Sequence, residues 1–135
     1  MMNLSTTKHP VKIIALLLSA SLLFSCKKDK DNDNSSYPKD VTIEYRVTTT
    51  TSGLNAADVN YTNETGGMSS IDLAPIPFSK KITKRVNQYE VIGLSVTAIK
   101  NGNLKTEILV NDKLVKTETY TSTSVIHGTL AHQFE

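Results

Sequence analysis

The chain has 135 residues, with 15 Lys and Arg against 13 Asp and Glu, one cysteine and no tryptophan. A single cysteine excludes a disulfide framework within the chain and a zinc knuckle of the Cys-x-x-Cys type. The formal net charge of +2 is too small to indicate nucleic-acid binding, which a strongly basic surface would favour.

The first 25 residues have the pattern of a secretory signal peptide. Lys8 and Lys12 form a positive region, and the apolar segment after them, residues 13–24, is twelve residues long. That length suits the apolar region of a signal peptide, about 7–15 residues, whereas a transmembrane helix needs about 20. Cys26 comes just after this segment, an arrangement that resembles a bacterial lipoprotein signal.

The lipoprotein resemblance implies how Cys26 is processed. The signal peptide, residues 1–25, is cut between Ser25 and Cys26, and the cysteine then carries a diacylglycerol and an N-acyl lipid. Two or more acyl chains anchor a protein stably to a membrane. Removal of residues 1–25 takes away two lysines and no acid, so the mature chain has 13 basic and 13 acidic residues. We therefore expect the lipid to attach the protein to a membrane, and we expect no nucleic-acid partner.

Residues 26–39 are predicted to form a lipidated, charged and flexible linker. Residues 27–36 contain no aliphatic or aromatic side chain, so burial cannot offset the entropy cost of ordering them. Lys27, Lys28 and Asp29 resemble the surface-export signals of Bacteroidota lipoproteins, which send the protein to the outer face of the outer membrane. The sequence thus predicts an outer-membrane location and leaves open whether the protein faces the periplasm or the cell surface.

From Asp40 onward the sequence has the pattern of β-strands. In the segment 41–47, apolar residues alternate with polar ones, the period expected of a half-buried strand. Seven further segments are predicted to be strands: 58–62, 68–73, 78–83, 92–98, 104–110, 113–119 and 124–130. Short strands separated by turn signals predict that residues 40–135 form one all-β domain, an immunoglobulin-like antiparallel β-sandwich of seven or eight strands.

Three connecting segments carry more specific predictions. Asn101-Gly102-Asn103 predicts a hairpin between the strands 92–98 and 104–110, because Asn-Gly suits the positive φ angles of a type I′ turn. Asn111-Asp112 predicts the next turn. The run from Thr48 to Ser52 predicts an edge strand and loop, and a ladder of exposed hydroxyls for glycan binding is the alternative.

The strands, in order, resemble the soluble domain of the MmpS family, small membrane proteins first described in mycobacteria. The resemblance covers residues 40 to about 130 and rests on the segments 41–47, 58–63, 77–83, 94–98 and 107–116. The family typically has Val-Asp-Gly in the last hairpin and Pro-Trp where this chain has Pro77-Phe78. The resemblance implies a β-sandwich that partners an RND-type exporter of lipids or siderophores. Family members are anchored by an N-terminal transmembrane helix, whereas this chain is predicted to use lipid.

The sequence carries no motif of a known catalytic or metal-binding site. Gly-x-Ser-x-Gly, His-Glu-x-x-His and phosphate-binding glycine loops are absent. His127 and His132 are five residues apart, so on a strand they face opposite sides and chelate a metal poorly. The carboxylates are scattered along the chain, at Glu44, Asp58, Asp72, Glu90 and Glu107. We therefore expect no enzyme activity, no metal and no cofactor apart from the lipid on Cys26.

Four basic residues lie close together in and after the fourth predicted strand: Lys80, Lys81, Lys84 and Arg85. One interpretation is contact with anionic lipid headgroups or lipopolysaccharide phosphates, worth about 1 kcal/mol per residue near a charged surface. The simpler interpretation, which we prefer, is an ordinary solvated strand end and loop.

These patterns together predict a non-enzymatic, lipid-anchored protein of the cell envelope. We expect an accessory or adaptor domain that works with an envelope or transport partner. The alternative is a surface-exposed binding module for a glycan, a host protein or a scavenged ligand.

Overall fold

The computed structural model describes residues 36–135, which form eight β-strands. The strands are β1 (Lys39–Thr48), β2 (Ala56–Thr62), β3 (Met68–Pro75), β4 (Phe78–Val86), β5 (Val91–Ala98), β6 (Gly102–Val110), β7 (Lys113–Ser122) and β8 (Ile126–Gln133). All eight predicted strands are present, with ends that differ by a few residues. These described residues contain no helix, and hence none that is long and apolar enough to cross a membrane.

The strands form two four-stranded sheets. Sheet A has the order β4-β1-β6-β7, and sheet B has the order β3-β2-β5-β8. All neighbouring strands are antiparallel. Hairpins join β2 to β3 and β6 to β7, and the other connections cross from one sheet to the other. The predicted antiparallel β-sandwich is therefore confirmed.

The core lies between the sheets and is built by the alternation seen in the sequence. On β1, Val41, Ile43, Tyr45 and Val47 point inward and are at most 2% exposed. On β5, alternate residues from Ile92 to Ala98 do the same from the opposite sheet. Because every second residue of these inner strands is apolar, pairing them in sheets buries one face of each strand. Each fully buried aliphatic side chain contributes about 1.5–3 kcal/mol.

Aromatic side chains link the two sheets inside this core. The ring of Tyr45, in sheet A, lies 5.3 Å from that of Tyr61, in sheet B. The ring of Phe78, also in sheet A, lies 6.5 Å from the ring of Tyr61. The Tyr45 hydroxyl donates a hydrogen bond of 2.8 Å to the carbonyl of Thr62, and burial raises the pKa of this phenol. These tyrosines supply the aromatic packing of a domain without tryptophan.

The turn between β6 and β7 confirms the prediction made for Asn111-Asp112. The two residues have φ angles of 50° and 62°, the positive values that a two-residue type I′ hairpin requires. The side-chain oxygen of Asn111 also accepts a hydrogen bond of 2.9 Å from the backbone N–H of Thr42. This contact stabilises Asn111 in a turn that lacks the glycine typical of the MmpS family.

The hairpin predicted at Asn101-Gly102-Asn103 is wrong. β5 belongs to sheet B and β6 to sheet A, so this segment carries the chain across the core. Gly102 has a φ of 135°, and a Cβ there would collide with Thr51. Two consecutive strands with one apolar face can either pair side by side or pack face to face. Alternation alone therefore could not decide which.

The edge strand predicted at Thr48 is also wrong. Thr48 ends β1, and β1 lies between β4 and β6 in the interior of sheet A. The β-branched residues after it, Thr49 to Thr51, belong to the loop between β1 and β2. The loop part of the prediction is confirmed.

The sandwich has two ends, which the strand directions define. The tether end holds Ser36 and the connections β2–β3, β4–β5 and β6–β7. The distal end holds the connections β1–β2, β3–β4, β5–β6 and β7–β8. At the tether end, the Tyr37 hydroxyl donates a 2.8 Å hydrogen bond to the carbonyl of Glu135. A strand of ten residues such as β1 separates the two ends by roughly 30 Å.

Candidate functional site

A cleft of about 250 Å³ opens at the distal end of the sandwich. The loop between β1 and β2, the bulged part of β3 and the end of β5 form its walls. Its lining includes Leu73 and Ile99, which are 74% and 90% exposed. Among residues 36–135 these are the two most exposed large hydrophobic side chains. The distal cleft therefore combines a concave surface with apolar groups in solvent.

A β-bulge places Leu73 at the rim of this cleft. The register between β2 and β3 shifts between Ala57 and Val59, and Leu73 takes a positive φ of 50°. The Asp58 carboxylate accepts a hydrogen bond of 2.9 Å from the backbone N–H of Leu73. β-bulges recur next to functional sites because they redirect a side chain. Alternate residues of β3 face the core, and the bulge breaks this alternation so that the Leu73 side chain points outward.

Hydrogen bonds from Asn103 hold the loops around the cleft. Its carbonyl accepts a bond of 2.6 Å from the Thr49 hydroxyl, and its side-chain amide donates one of 2.8 Å to Thr50 Oγ1. Its backbone N–H donates to Thr51 Oγ1 at 2.9 Å. Lys100 Nζ donates to the Gly53 carbonyl in the same region. The three threonine hydroxyls thus brace the loop, which weakens their interpretation as a free hydroxyl ladder.

The four basic residues predicted as one cluster lie on both faces of β4. Lys81 and Arg85 point to the outer face, where Lys81 lies 2.8 Å from Asp112 and Arg85 3.5 Å from Asp40. Lys84 points inward and is 7% exposed.

Lys84 is therefore not part of a surface patch, which corrects the prediction. Its Nζ lies 2.9 Å from Glu90 Oε1. The sequence held a signal for this burial, because Ile82 and Val86 alternate with Lys84 on one face of the strand. Lys80 lies on that same inward face, half-buried at the sheet edge.

Glu90 anchors the loop between β4 and β5 at the tether end. Glu90 pairs with the Lys84 ammonium, and it also accepts a hydrogen bond of 2.9 Å from the backbone N–H of Asn87. Burial favours the neutral acid, but these bonds outweigh it and lower the pKa of Glu90. The carboxylate is therefore ionised at neutral pH and fixed as a structural group.

Glu44 is the centre of a second ionic network, on the outer face of sheet A. Arg46 binds both of its oxygens, at 2.7 and 2.9 Å, and the Ser79 hydroxyl donates to it at 2.8 Å. The hydrogen bond from Arg46 is the main cause of the lowered pKa of Glu44. Lys81 lies 3.8 Å away. These contacts leave Glu44 only 8% exposed, so its carboxylate is a structural ion rather than an accessible acid or base.

The other carboxylates named from the sequence are divided between the sheets, with Glu107 in sheet A and with Asp58 and Asp72 on the paired strands β2 and β3 of sheet B. Glu107 pairs with Lys105 on β6, Asp58 caps the bulge at Leu73, and Asp72 is exposed on β3. Residues 36–135 hold no group of three or more His, Cys, Asp or Glu side chains that could bind a metal ion.

The two histidines of β8 lie on opposite faces of the strand. His127 Nδ1 is 3.0 Å from Thr97 Oγ1 on the outer face of sheet B. His132 packs edge-on against Phe134, with 4.9 Å between the ring centroids, and burial is the main cause of its lowered pKa. His132 and Lys116 also line an open cleft of about 620 Å³ between β7 and β8.

The outer face of sheet B differs from that of sheet A in charge. Its outward side chains are mostly small and polar, and they include Asn60, Ser70, Ser95, Thr97 and Thr129. Asn60 and Ser70 are hydrogen-bonded to each other. Sheet A instead presents the ionic network around Glu44. Sheet B therefore offers a surface made mainly of hydroxyl and amide groups, with the carboxylates Asp58 and Asp72 near the bulge.

No protein-family model matches the chain, and no curated protein matches it. The resemblance to lipoproteins and to the MmpS family therefore stays a prediction from the sequence. Ser25, Cys26, Lys27, Lys28 and Asp29 lie outside the described residues.

Proposed function

We propose that the protein is a lipid-anchored adaptor of the cell envelope, which holds a protein partner at its distal end. In this proposal the lipid on Cys26 attaches the chain to the outer membrane, and the sandwich has no catalytic role. The observation that carries the proposal is the pair Leu73 and Ile99, exposed at the rim of the distal cleft.

The position of the pair supports contact with a partner away from the membrane. Ser36, which lies in the last part of the predicted linker, is at the tether end, and Leu73 and Ile99 lie at the other end, roughly 30 Å away along the strands. Apolar side chains at the tether end, such as Tyr89 and Val91, are also exposed. On a lipid-anchored chain these would face the membrane, whereas the distal pair stays free for a partner.

The way the distal loops are held supports a protein contact in particular. Asn103 and Lys100 satisfy the polar groups of the loops internally, so the apolar side chains are presented on a fixed frame. Binding to a fixed surface costs less conformational entropy than binding to a mobile one. Apolar side chains that are already ordered are typical anchors of protein interfaces.

Site-specific photo-crosslinking in cells tests this proposal. A photoreactive amino acid at Ile99, in the full-length chain, should give a discrete crosslinked product with an envelope protein. The same amino acid at Glu64, an exposed position at the tether end, is the matched control and should not give that product. If neither Leu73 nor Ile99 gives a product above the control, the distal contact is wrong.

The anchor needs a separate test, because the distal contact does not depend on it. The Cys26→Ala variant should accumulate as an uncleaved precursor without acyl label. Normal labelling of the variant with radioactive or clickable palmitate would contradict the lipoprotein assignment.

A surface-exposed glycan-binding module is the second candidate, and the outer face of sheet B supports it. Its hydroxyl and amide side chains could replace water around a neutral sugar. A glycan and matrix-protein array probed with the purified protein should then show binding that Thr97→Val reduces. An array signal no higher than background would exclude this candidate.

Protease treatment of intact cells separates the two candidates. Digestion of the domain while periplasmic marker proteins survive would favour surface binding. Protection until the outer membrane is opened would favour the periplasmic adaptor.

A further inference from the structure

The free edge of β7 differs from the other three sheet edges of the sandwich. The β4 edge carries Lys80, Lys81 and Arg85 and no acidic side chain, whereas Lys84 is turned inward, so pairing two copies of this edge would bring like charges together. β3 is interrupted by the bulge and ends in Pro75. Natural proteins use such charges, bulges and prolines to prevent pairing between sheet edges. β7 has ten residues and no proline, and its own bulge, at Val115, lies before the regular segment from Lys116 to Ser122.

The β8 edge is protected by β7 itself. Tyr120 crosses from β7 and packs on Gly128, where a Cβ would collide with its ring. Its hydroxyl donates a hydrogen bond of 2.6 Å to the carbonyl of Thr129. The edge of β7 is thus the one that stays unprotected within the described sandwich.

The charges on β7 are complementary to themselves. Lys116 and Glu118 flank Thr117, and all three side chains are exposed. Neither Lys116 nor Glu118 takes part in an ion pair within residues 36–135. A two-fold axis perpendicular to sheet A, passing through Thr117, would place each Lys116 opposite Glu118 of a second copy. Both charges would then gain a cross-strand partner.

Other registers of the same pairing do not satisfy the charges. An axis through Lys116 or through Glu118 places like charges directly opposite each other, which destabilises a strand pair. An axis through Thr119 places Glu118 opposite Tyr120 and leaves it without a cation. A two-fold axis perpendicular to the sheet must pass between two copies of the same residue. Only then are the paired residues of the two strands ones whose side chains point to the same face.

The main chain near Thr117 is oriented for this pairing. The carbonyl of Glu118 accepts a hydrogen bond of 3.3 Å from the Thr106 hydroxyl of β6, so it points into sheet A. Backbone groups alternate in direction along an antiparallel strand. Those of the neighbouring Thr117 and Thr119 therefore point to the free edge, where another strand can bind them.

We propose that two copies of the chain pair through β7, antiparallel and centred on Thr117. Sheet A then continues across the pair as eight strands, with two Lys116–Glu118 contacts beside the axis. This self-association is independent of the adaptor contact, which lies at the distal cleft.

Cysteine crosslinking tests the register. Thr117→Cys in the full-length chain places two thiols opposite each other on the axis, at Cβ distances of about 4.5–5.5 Å. Thr119→Cys is the control, because its two thiols would lie about 14 Å apart along the strands. In detergent-solubilised protein, mild oxidation should give a covalent dimer with the first variant and not with the second. No dimer from Thr117→Cys, or equal dimer from both, would overturn the proposal.

Charge reversal tests the contacts in the same assay. With Thr117→Cys as the reporter, Lys116→Glu or Glu118→Lys alone should lower the dimer yield by about tenfold. Mixing the two reversed proteins should restore a heterodimer, since each now carries the charges that the other lacks. Lys113→Glu, on the same strand but beyond the bulge at Val115, is the matched control and should keep the dimer. Yields unchanged by either reversal, or not restored by mixing, would contradict the pairing.

Discussion

The two ends of the sandwich hold their loops by different chemistry. At the tether end, the loop between β4 and β5 is fixed by the inward-facing Lys84 and its partner Glu90. At the distal end, Asn103 fixes the loop between β1 and β2 through neutral hydroxyl and amide hydrogen bonds. Ionic and neutral contacts respond differently to pH. The difference therefore predicts that acid should loosen the tether end first and leave the distal frame intact.

Removal of the ion-pair acid should have the largest effect on stability. Glu90→Ala leaves the Lys84 ammonium buried without its partner, and removal of one partner of a buried ion pair costs about 3–5 kcal/mol. Urea denaturation, followed by circular dichroism at neutral pH, measures the loss. Lys81→Ala is the control, because Lys81 and its nearer partner Asp112 are both exposed, and such a pair should contribute less than about 1 kcal/mol. An equal loss of unfolding free energy in both variants would show that the Lys84–Glu90 pair contributes no more than an exposed pair.

Acid should remove the same contribution in the unmodified protein. The folded chain holds the pKa of Glu90 below its ordinary value, so the unfolded chain binds more protons in the window between the two pKa values. Stability is therefore complete above the unfolded value of about 4.3 and falls as pH drops through the folded one.

Denaturation between pH 7 and pH 3 checks this prediction. Glu90→Gln should show a shallower loss than the unmodified chain, and Glu44 accounts for part of what remains, because its pKa is also lowered. Parallel curves for the two proteins would contradict the assignment.

A smaller loss is expected at the distal end. Asn103→Ala removes the two side-chain hydrogen bonds with Thr50 and keeps the backbone ones with Thr49 and Thr51, a loss of about 1–2 kcal/mol in total. This loss should not change with pH, because every group involved is neutral. Hydrogen exchange should report faster exchange in the loop between β1 and β2 and no change at the loop between β4 and β5. Faster exchange at both ends would show that the ends are coupled.

The smallest effect should come from the exposed apolar residues of the distal cleft. Leu73→Ser and Ile99→Ser remove little buried area, so the free energy of unfolding should change by no more than about 0.5 kcal/mol. The yield of the crosslinked partner should nevertheless fall. A loss of stability above about 1 kcal/mol would instead indicate that these side chains are part of the packed structure.

The sequence was sufficient for the strands because each has a local signal. The alternation from Val41 to Val47 was enough to predict β1 and its inward face. The turn at Asn111-Asp112 was equally readable, since few residues accept positive φ angles. Such signals lie within a few residues of one another and do not depend on the rest of the fold.

The arrangement of the strands and the sites was harder to predict. Asn101-Gly102-Asn103 has a hairpin composition, yet Gly102 serves a crossing between sheets and makes room for Thr51. The sequence did not indicate that Leu73 is exposed, because the bulge depends on the register of β2 against β3. Lys84 was grouped with its basic neighbours, although alternation with Ile82 and Val86 placed it inside. Contacts between distant segments decide the positions of Gly102 and Leu73, whereas the local alternation already indicated the burial of Lys84.

The aromatic contact between the sheets has a practical use in spectroscopy. Because the chain has no tryptophan, its intrinsic fluorescence comes from tyrosine alone. Phe78 is half-buried on sheet A and adjoins Tyr61 of sheet B, so a Phe78→Trp variant would receive excitation energy from that tyrosine only while the two sheets are packed. Its emission would give a time-resolved optical signal for the docking of one sheet on the other during folding.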